Sequence, residues 1–157
     1  MNDPHSTAFF TGHRDVPEDL YNDIYEKVYF IIKTLYIAAG YRDFVAGGAV
    51  GFDTLAAKAV LKLRETEKDA RLHIIVPCKG QDKFFSPQQK QEYAKILESA
   101  DSVEVLYEHY VRGCMHARNK KMADRSSVCV AYCTKDTGGT AYTVSYARKK
   151  GIKIIYV

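Results

Sequence analysis

Apolar and polar positions along the chain follow two alternating rhythms. Short apolar runs, "TAFFTG" (7–12), "DFVAGG" (43–48), "RLHIIVP" (71–77), "SVEVLY" (102–107), "SVCVAYC" (127–133) and "KIIYV" (153–157), read as strands. Between them lie segments with a helical period. Pro17 opens one in which Leu20, Ile24, Val28, Ile31 and Leu35 recur every three or four positions, and Gly40 closes it. "FDTLAAKAVLKLRE" (52–65) sets Leu55, Ala59 and Leu63 on one face. Ser86, Pro87 and Gln89 form a helix start: a capping side chain, a proline at the first helical position and the partner of a capping box. "MHARNKKMADRS" (115–126) and "TAYTVSYARKK" (140–150) supply two more helices. Strand and helix alternate to the end, which predicts right-handed βαβ crossovers. The expected class is α/β, a Rossmann-like three-layer sandwich with a mostly parallel sheet flanked by helices.

At 157 residues, 46% of them hydrophobic, the chain can build one good core, and a single domain over 1–157 is expected. No apolar run approaches the roughly 18 residues of a membrane span, and "MNDPHSTAFF" lacks a basic stretch leading into a long apolar one. A soluble, cytoplasmic protein with no membrane partner is the expectation. Cys78, Cys114, Cys129 and Cys133 have no regular spacing, and His109 and His116 near Cys114 do not form a metal-ligand pattern, so reduced thiols and no metal site are expected. A net charge of +4 suits an anionic ligand and is too small to announce nucleic acid.

Three strand-to-helix loops carry the candidate chemistry. In open α/β sheets ligands settle at the carboxyl ends of strands, against helix N-termini of partial positive charge. The first loop holds Thr11, Gly12, His13 and Arg14, the second Gly47, Gly48, Gly51 and Asp53, and the third Gly138, Gly139 and Thr140. Glycines there let a phosphate approach backbone N–H groups, although a glycine pair after a strand equally serves tight helix–sheet packing. The "GGAVGFD" spacing is not GxGxxG, and no GxxxxGK[ST] occurs, which disfavours a conventional dinucleotide fold or an ATPase loop. Asp53 reads as a helix cap before a ligand group, Asp15 as a cap or a carboxylate beside the ligand, and His13 as a phosphate contact, an acid or base, or a turn brace. Tyr132 either stacks on a base or finishes the core. Phe84 and Phe85, adjacent in a polar loop, are candidates for a lid.

"FTGHR", "GGAVGFDTLAA", "VPCKGQDKFFSPQQKQEYAKIL", "ARNKKMADRSSVCVAY" and "GGTAYTVSYARKKG", in that order from Phe9 to the C-terminus, resemble the YpsA-like branch of the SLOG superfamily. This superfamily also contains the Lonely Guy phosphoribohydrolases and the Smf/DprA proteins. The resemblance implies a Rossmann-like fold and a pocket for a nucleotide or nucleotide-derived ligand, NAD- or ADP-ribose-like. The superfamily's hydrolases carry a helix-borne arginine shortly before a methionine, then a strand and a PGGxGTxxE loop. Arg118 and Met122 match the first part, and Gly138, Gly139 and Thr140 overlap the second. The glutamate position is Thr143, and the proline is absent.

That departure bears on chemistry, because a threonine lacks the carboxylate that stabilises an oxocarbenium-like centre or activates water. By the same resemblance Arg118 clamps phosphate and Asn119 bonds a ribose or base, against the alternative of a solvated arginine in "RNKK". Three function classes therefore stand. The leading one is a binding or sensing domain for a nucleotide-derived small molecule, with no catalytic residue assigned. The second is a nucleotide N-glycosidase using Asp15, His13 or Asp53. The third is a DNA-binding protein of Smf/DprA type, resting on the basic cluster Arg112, Arg118, Lys120, Lys121 and Arg125, which only Asp124 offsets locally. Tyr21, Tyr25, Tyr29 and Tyr36 on the first helix suggest a face for a homo-oligomer.

Overall fold

A computed structural model describes residues 3–157. The strands are β1 (Thr7–Gly12), β2 (Asp43–Ala46), β3 (Arg71–Cys78), β4 (Ser102–Tyr107), β5 (Val128–Tyr132) and β6 (Lys153–Tyr156). The helices between them are α1 (Tyr21–Ala39), α2 (Phe52–Thr66), α3 (Pro87–Ser99), α4 (Cys114–Asp124) and α5 (Gly139–Lys149). The six strands form one sheet in the order β4-β3-β2-β1-β5-β6, and every pairing is parallel. The fold is the predicted α/β, Rossmann-like sandwich.

Each face of the sheet has its own core. Ile24, Val28, Ile32, Leu55, Val60, Leu63 and Ile96 bring α1, α2 and α3 onto one face, against Phe10, Phe44, Leu72 and Ile74. Met122, Ala123, Val144 and Ala147 bring α4 and α5 onto the other, against Phe9, Val45, Ile75 and Cys129. Local signals set the helix ends as expected. Gly40 closes α1 in the left-handed conformation. The Ser86–Gln89 capping box forms in full, at 2.9 and 3.1 Å.

Two details of α1 differ from expectation. Leu20 ends a short 3-10 turn and is 43% exposed, so it lies outside the buried stripe. That stripe runs through Ile24, Val28, Ile32, Leu35 and Tyr36 and leaves Ile31 on its flank, because a 3.6-residue period drifts around the helix. Tyr36 turns inward, its hydroxyl on Asp69 and its ring under Arg42 at 3.9 Å, and the large exposed apolar side chains of α1 are Phe30 and Ile37.

Strand order fixes where a ligand can sit. From β1 the chain builds outward through β2, β3 and β4, then crosses to β5 on the far side of β1. The loops leaving β1 and β5 therefore diverge to opposite faces and open a crevice between them, at the point where the strand order reverses.

Candidate functional site

The crevice is a cavity of about 400 Å³. Thr11, Gly12, His13 and Arg14 line it from the β1 loop, Asp53 from α2, Arg118 and Asn119 from α4, and Gly138, Gly139 and Thr140 from the start of α5. Gly47, Gly48 and Gly51 lie behind its wall. A Cβ on Gly47 would stand 2.6 Å from the Arg118 guanidinium carbon and 2.8 Å from an Asp53 carboxylate oxygen. A Cβ on Gly48 would press on Gln81 and Tyr93, at 3.1 and 3.2 Å. One on Gly51 would collide with the backbone carbonyl of Arg14. These three glycines admit protein atoms. Gly138 and Gly139 face open space, with nothing within 4 Å of where a Cβ would be.

Arg118 is 4% exposed, which excludes the solvated-helix reading. Its Nη1 donates to the carbonyl of Gly47, to that of Ile75 at 3.4 Å and to Gln81 Oε1 at 3.3 Å, while Nε donates to Asn119 Oδ1 at 2.7 Å. Burial pulls its pKa below the ordinary arginine value, Asp53 opposes the shift, and the guanidinium stays charged. The chain of bonds continues with fixed polarity. Asn119 Nδ2 donates to the Thr143 hydroxyl at 3.0 Å, and that hydroxyl donates to the Gly139 carbonyl at 3.0 Å. Thr143 is 1% exposed and does not line the cavity.

Asp53 caps nothing on its own helix, where Gly51 is the N-cap without a side-chain bond. Instead its Oδ2 accepts the Ala49 N–H at 3.2 Å and braces the loop. Burial pushes the Asp53 carboxyl up, against Arg118, the Ala49 N–H and Arg14. Asp15 is likewise no cap, since the turn after it starts at Pro17 with no side-chain bond.

His13 pins the loops together. Its carbonyl accepts the Phe52 N–H at 3.1 Å, and its Nε2 accepts the Thr134 N–H at 2.8 Å, which requires the neutral ring protonated on Nδ1. Burial and Lys135 hold its pKa below 6.5, against Asp15. Tyr132 is 8% exposed, stacked on Phe52 at 5.8 Å and touched edgewise by His13 at 5.4 Å, so it finishes the core.

Several lining residues carry no role in the sequence reading, although the third loop, residues 134–140, contains two of them. Lys135 and Thr137 belong to the same β5 loop as the glycines, and Met115 and His116 lie on α4 one turn before Arg118 and Asn119, so helical spacing carried the signal. The His116 ring packs on Tyr142 at 4.4 Å, and its Nδ1 is buried with no hydrogen-bond partner among the described residues. The basic cluster is no continuous patch: Arg118 is buried, and Lys121 and Arg125 pair with Glu104 at 2.7 and 3.1 Å. Among the described residues no group of three or more His, Cys, Asp or Glu side chains could hold a metal ion. None of their helices is long and apolar enough to cross a membrane.

Residues 8–156 match the family model described as the YspA SLOG family. The chain belongs to this YpsA family of SLOG proteins. A SPbeta prophage-derived protein of Bacillus subtilis, YoqJ, is 32% identical over 136 residues, 79% of this chain and 80% of its own. A UPF0398 protein of Halalkalibacterium halodurans is 26% identical over 117 residues, 73% of this chain and 62% of its own. Among solved structures, DNA processing protein A (DprA) from Streptococcus pneumoniae superposes with a TM-score of 0.68 at 18% identity, over 96% of this chain and 49% of that one. DprA from Helicobacter pylori gives 0.66 at 16%, over 98% and 65%. These two likenesses establish the fold. The chain spans about half to two thirds of the length of the DprA chains and the UPF0398 relative.

Proposed function

We propose that this SLOG domain binds a nucleotide-derived small molecule, of the NAD or ADP-ribose kind, as a cytoplasmic sensor. The observation that carries the reading is the open N-terminus of α5. A Cβ on Gly138 or Gly139 would find open space, the helix has no side-chain cap, and Gly138, Gly139 and Thr140 at its start line the cavity, where the N–H groups of a first helical turn are available to an anion. Arg14, Arg118 and Lys135 line the same space against the single carboxylate of Asp53. Such a set favours phosphate. Thr143 supports binding without hydrolysis, because its hydroxyl is committed to Asn119 and Gly139 and carries no charge.

Calorimetry and thermal shift with AMP, NAD and ADP-ribose test the reading. Arg14→Ala is the informative variant, since the side chain is exposed and bonded to nothing among the described residues. Affinity should fall by roughly tenfold, the scale of a charge-assisted contact, with the melting temperature of the free protein unchanged. Absence of binding for every nucleotide would reject the proposal. Free base in stoichiometric excess, detected chromatographically after long incubation, would promote the N-glycosidase.

A second reading, binding of single-stranded DNA, draws on the H. pylori neighbour, whose structure concerns its single-stranded DNA binding mode. Pairing of Lys121 and Arg125 with Glu104 weakens it here. Oligothymidylate affinity falling steeply with salt would favour it.

A further inference from the structure

A second cleft of about 620 Å³ adjoins the cavity and shares Arg14, Ala49 and Met115 with it. It opens over the carboxyl ends of β3 and β4, between the loop holding Phe84 and Phe85 and the one holding His109 and Tyr110. The two phenylalanines are used differently. Phe85 packs edgewise on Tyr93 of α3 at 5.5 Å, which anchors its loop. Phe84 is 91% exposed, with only the Lys83 ammonium near its ring, and Tyr110 is 67% exposed with no ring or hydrogen-bond partner among the described residues. Neither ring contributes to the core. Both stand at a cleft whose charged lining residues are Arg14, Lys79 and Lys83; Lys79 is paired with Glu108 at 2.9 Å, while Arg14 and Lys83 have no ion pair among the described residues.

We propose that this cleft holds the heteroaromatic base of the nucleotide whose phosphate occupies the cavity at α5, with Phe84 and Tyr110 as its stacking residues. The inference rests on the phosphate reading above and extends it. Each cavity alone is of small-molecule size, and continuity through Arg14, Ala49 and Met115 lets one ligand occupy both. The chemistry divides between them: helix N–H groups and Arg118 at one end, apolar rings edged by cations at the other. A base joined through ribose to phosphate presents that same sequence of groups, with Arg14 at the junction. A sugar phosphate would leave the rings in water.

The test is calorimetry of the full chain and of Phe84→Ala/Tyr110→Ala with ADP-ribose, AMP and the base-free probe ribose 5-phosphate. Both substituted side chains are exposed, so the free variant should melt with the wild type. A stacked base is worth about tenfold or more in affinity per ring. The double variant should therefore bind ADP-ribose and AMP at least tenfold more weakly and ribose 5-phosphate unchanged. Equal weakening of all three, or of none, would overturn the base assignment while leaving the phosphate site standing. Wild-type protein that binds none of them would reject the phosphate reading and this inference with it. Oligothymidylate binding lost in the double variant, with no mononucleotide bound, would assign the rings to nucleic acid and overturn the small-molecule base.

Discussion

The loop after β2 and the loop after β5 look alike in sequence, each with a glycine pair at the mouth of a helix, and the protein uses them in opposite ways. In the first, the chain closes on its own glycines. Arg118 and Asp53 converge on Gly47, and the Arg14 carbonyl rests against Gly51. In the second, the space a Cβ on Gly138 or Gly139 would take is open, with nothing within 4 Å of it. A glycine can be required because another part of the protein fills the space of its side chain, or because the space is kept for something else. The environment, not the residue, distinguishes the two, and substitution by alanine reads the difference.

The largest effect is expected at Gly51. Its φ of +79° is unfavourable for any side chain, and a Cβ there would collide with backbone that cannot swing aside. Strain and overpacking each cost about 1 to 3 kcal/mol, so Gly51→Ala should destabilise by about 4 kcal/mol in urea unfolding. A loss under 1 kcal/mol would show that the β2 loop is not packed as described.

Thr143→Glu comes next. The site is 1% exposed, and a carboxylate placed there would face the Gly139 carbonyl that the threonine hydroxyl now satisfies. Destabilisation of about 2 to 3 kcal/mol is expected, with no release of free base from AMP or ADP-ribose. A stable variant that releases base would mean the α5 loop can be rebuilt as a hydrolase site.

His13, which ties the β1 loop to the β5 loop, yields a smaller, pH-dependent effect. With its folded pKa below 6.5, the unfolded chain holds a proton that the folded chain does not, over the interval between the two values. Its contribution is complete above pH 6.5, shrinks as pH falls, and levels off below the folded value. Protonation also puts a donor opposite the Thr134 N–H. The melting temperature should decline on acidification from pH 6.5, and His13→Gln should lack that component. An identical profile for both proteins would remove His13 as the link between the loops.

Much of this architecture was legible in the residues. Element type followed from apolar period, and the Ser86–Gln89 box and Gly40 marked helix ends because capping is local chemistry. Strand order was not legible, since which strands become neighbours depends on crossovers the period does not encode. Arg118 shows a second limit. In "RNKK" it resembles its neighbours, and acceptors distant in the chain, the carbonyls of Gly47 and Ile75 and the Gln81 side chain, join Asn119 in making its burial tolerable. Phe84 and Phe85 are indistinguishable as a dipeptide, and Tyr93 on a separate helix decides which is anchored. Chemistry within one element or turn can be read locally, and chemistry assembled from three strands cannot.

The smallest change in stability, and the sharpest use of the comparison, is expected at Gly139. It opens α5 without a left-handed φ, and a Cβ would find nothing within 4 Å. Alanine at such a position restricts the unfolded chain without straining the folded one, so Gly139→Ala should leave stability unchanged or raise it by about 0.5 kcal/mol. The same methyl group would stand where the oxygens of the proposed phosphate would approach the helix N–H groups. ADP-ribose affinity should therefore fall about tenfold by calorimetry, the worth of one charge-assisted hydrogen bond stretched beyond its working length. The pair of measurements separates the cases. A loss of stability above 1 kcal/mol would make Gly139 a packing glycine like Gly51 and dissolve the contrast between the loops. Stability and affinity both unchanged would leave the loops distinct and remove the phosphate from α5.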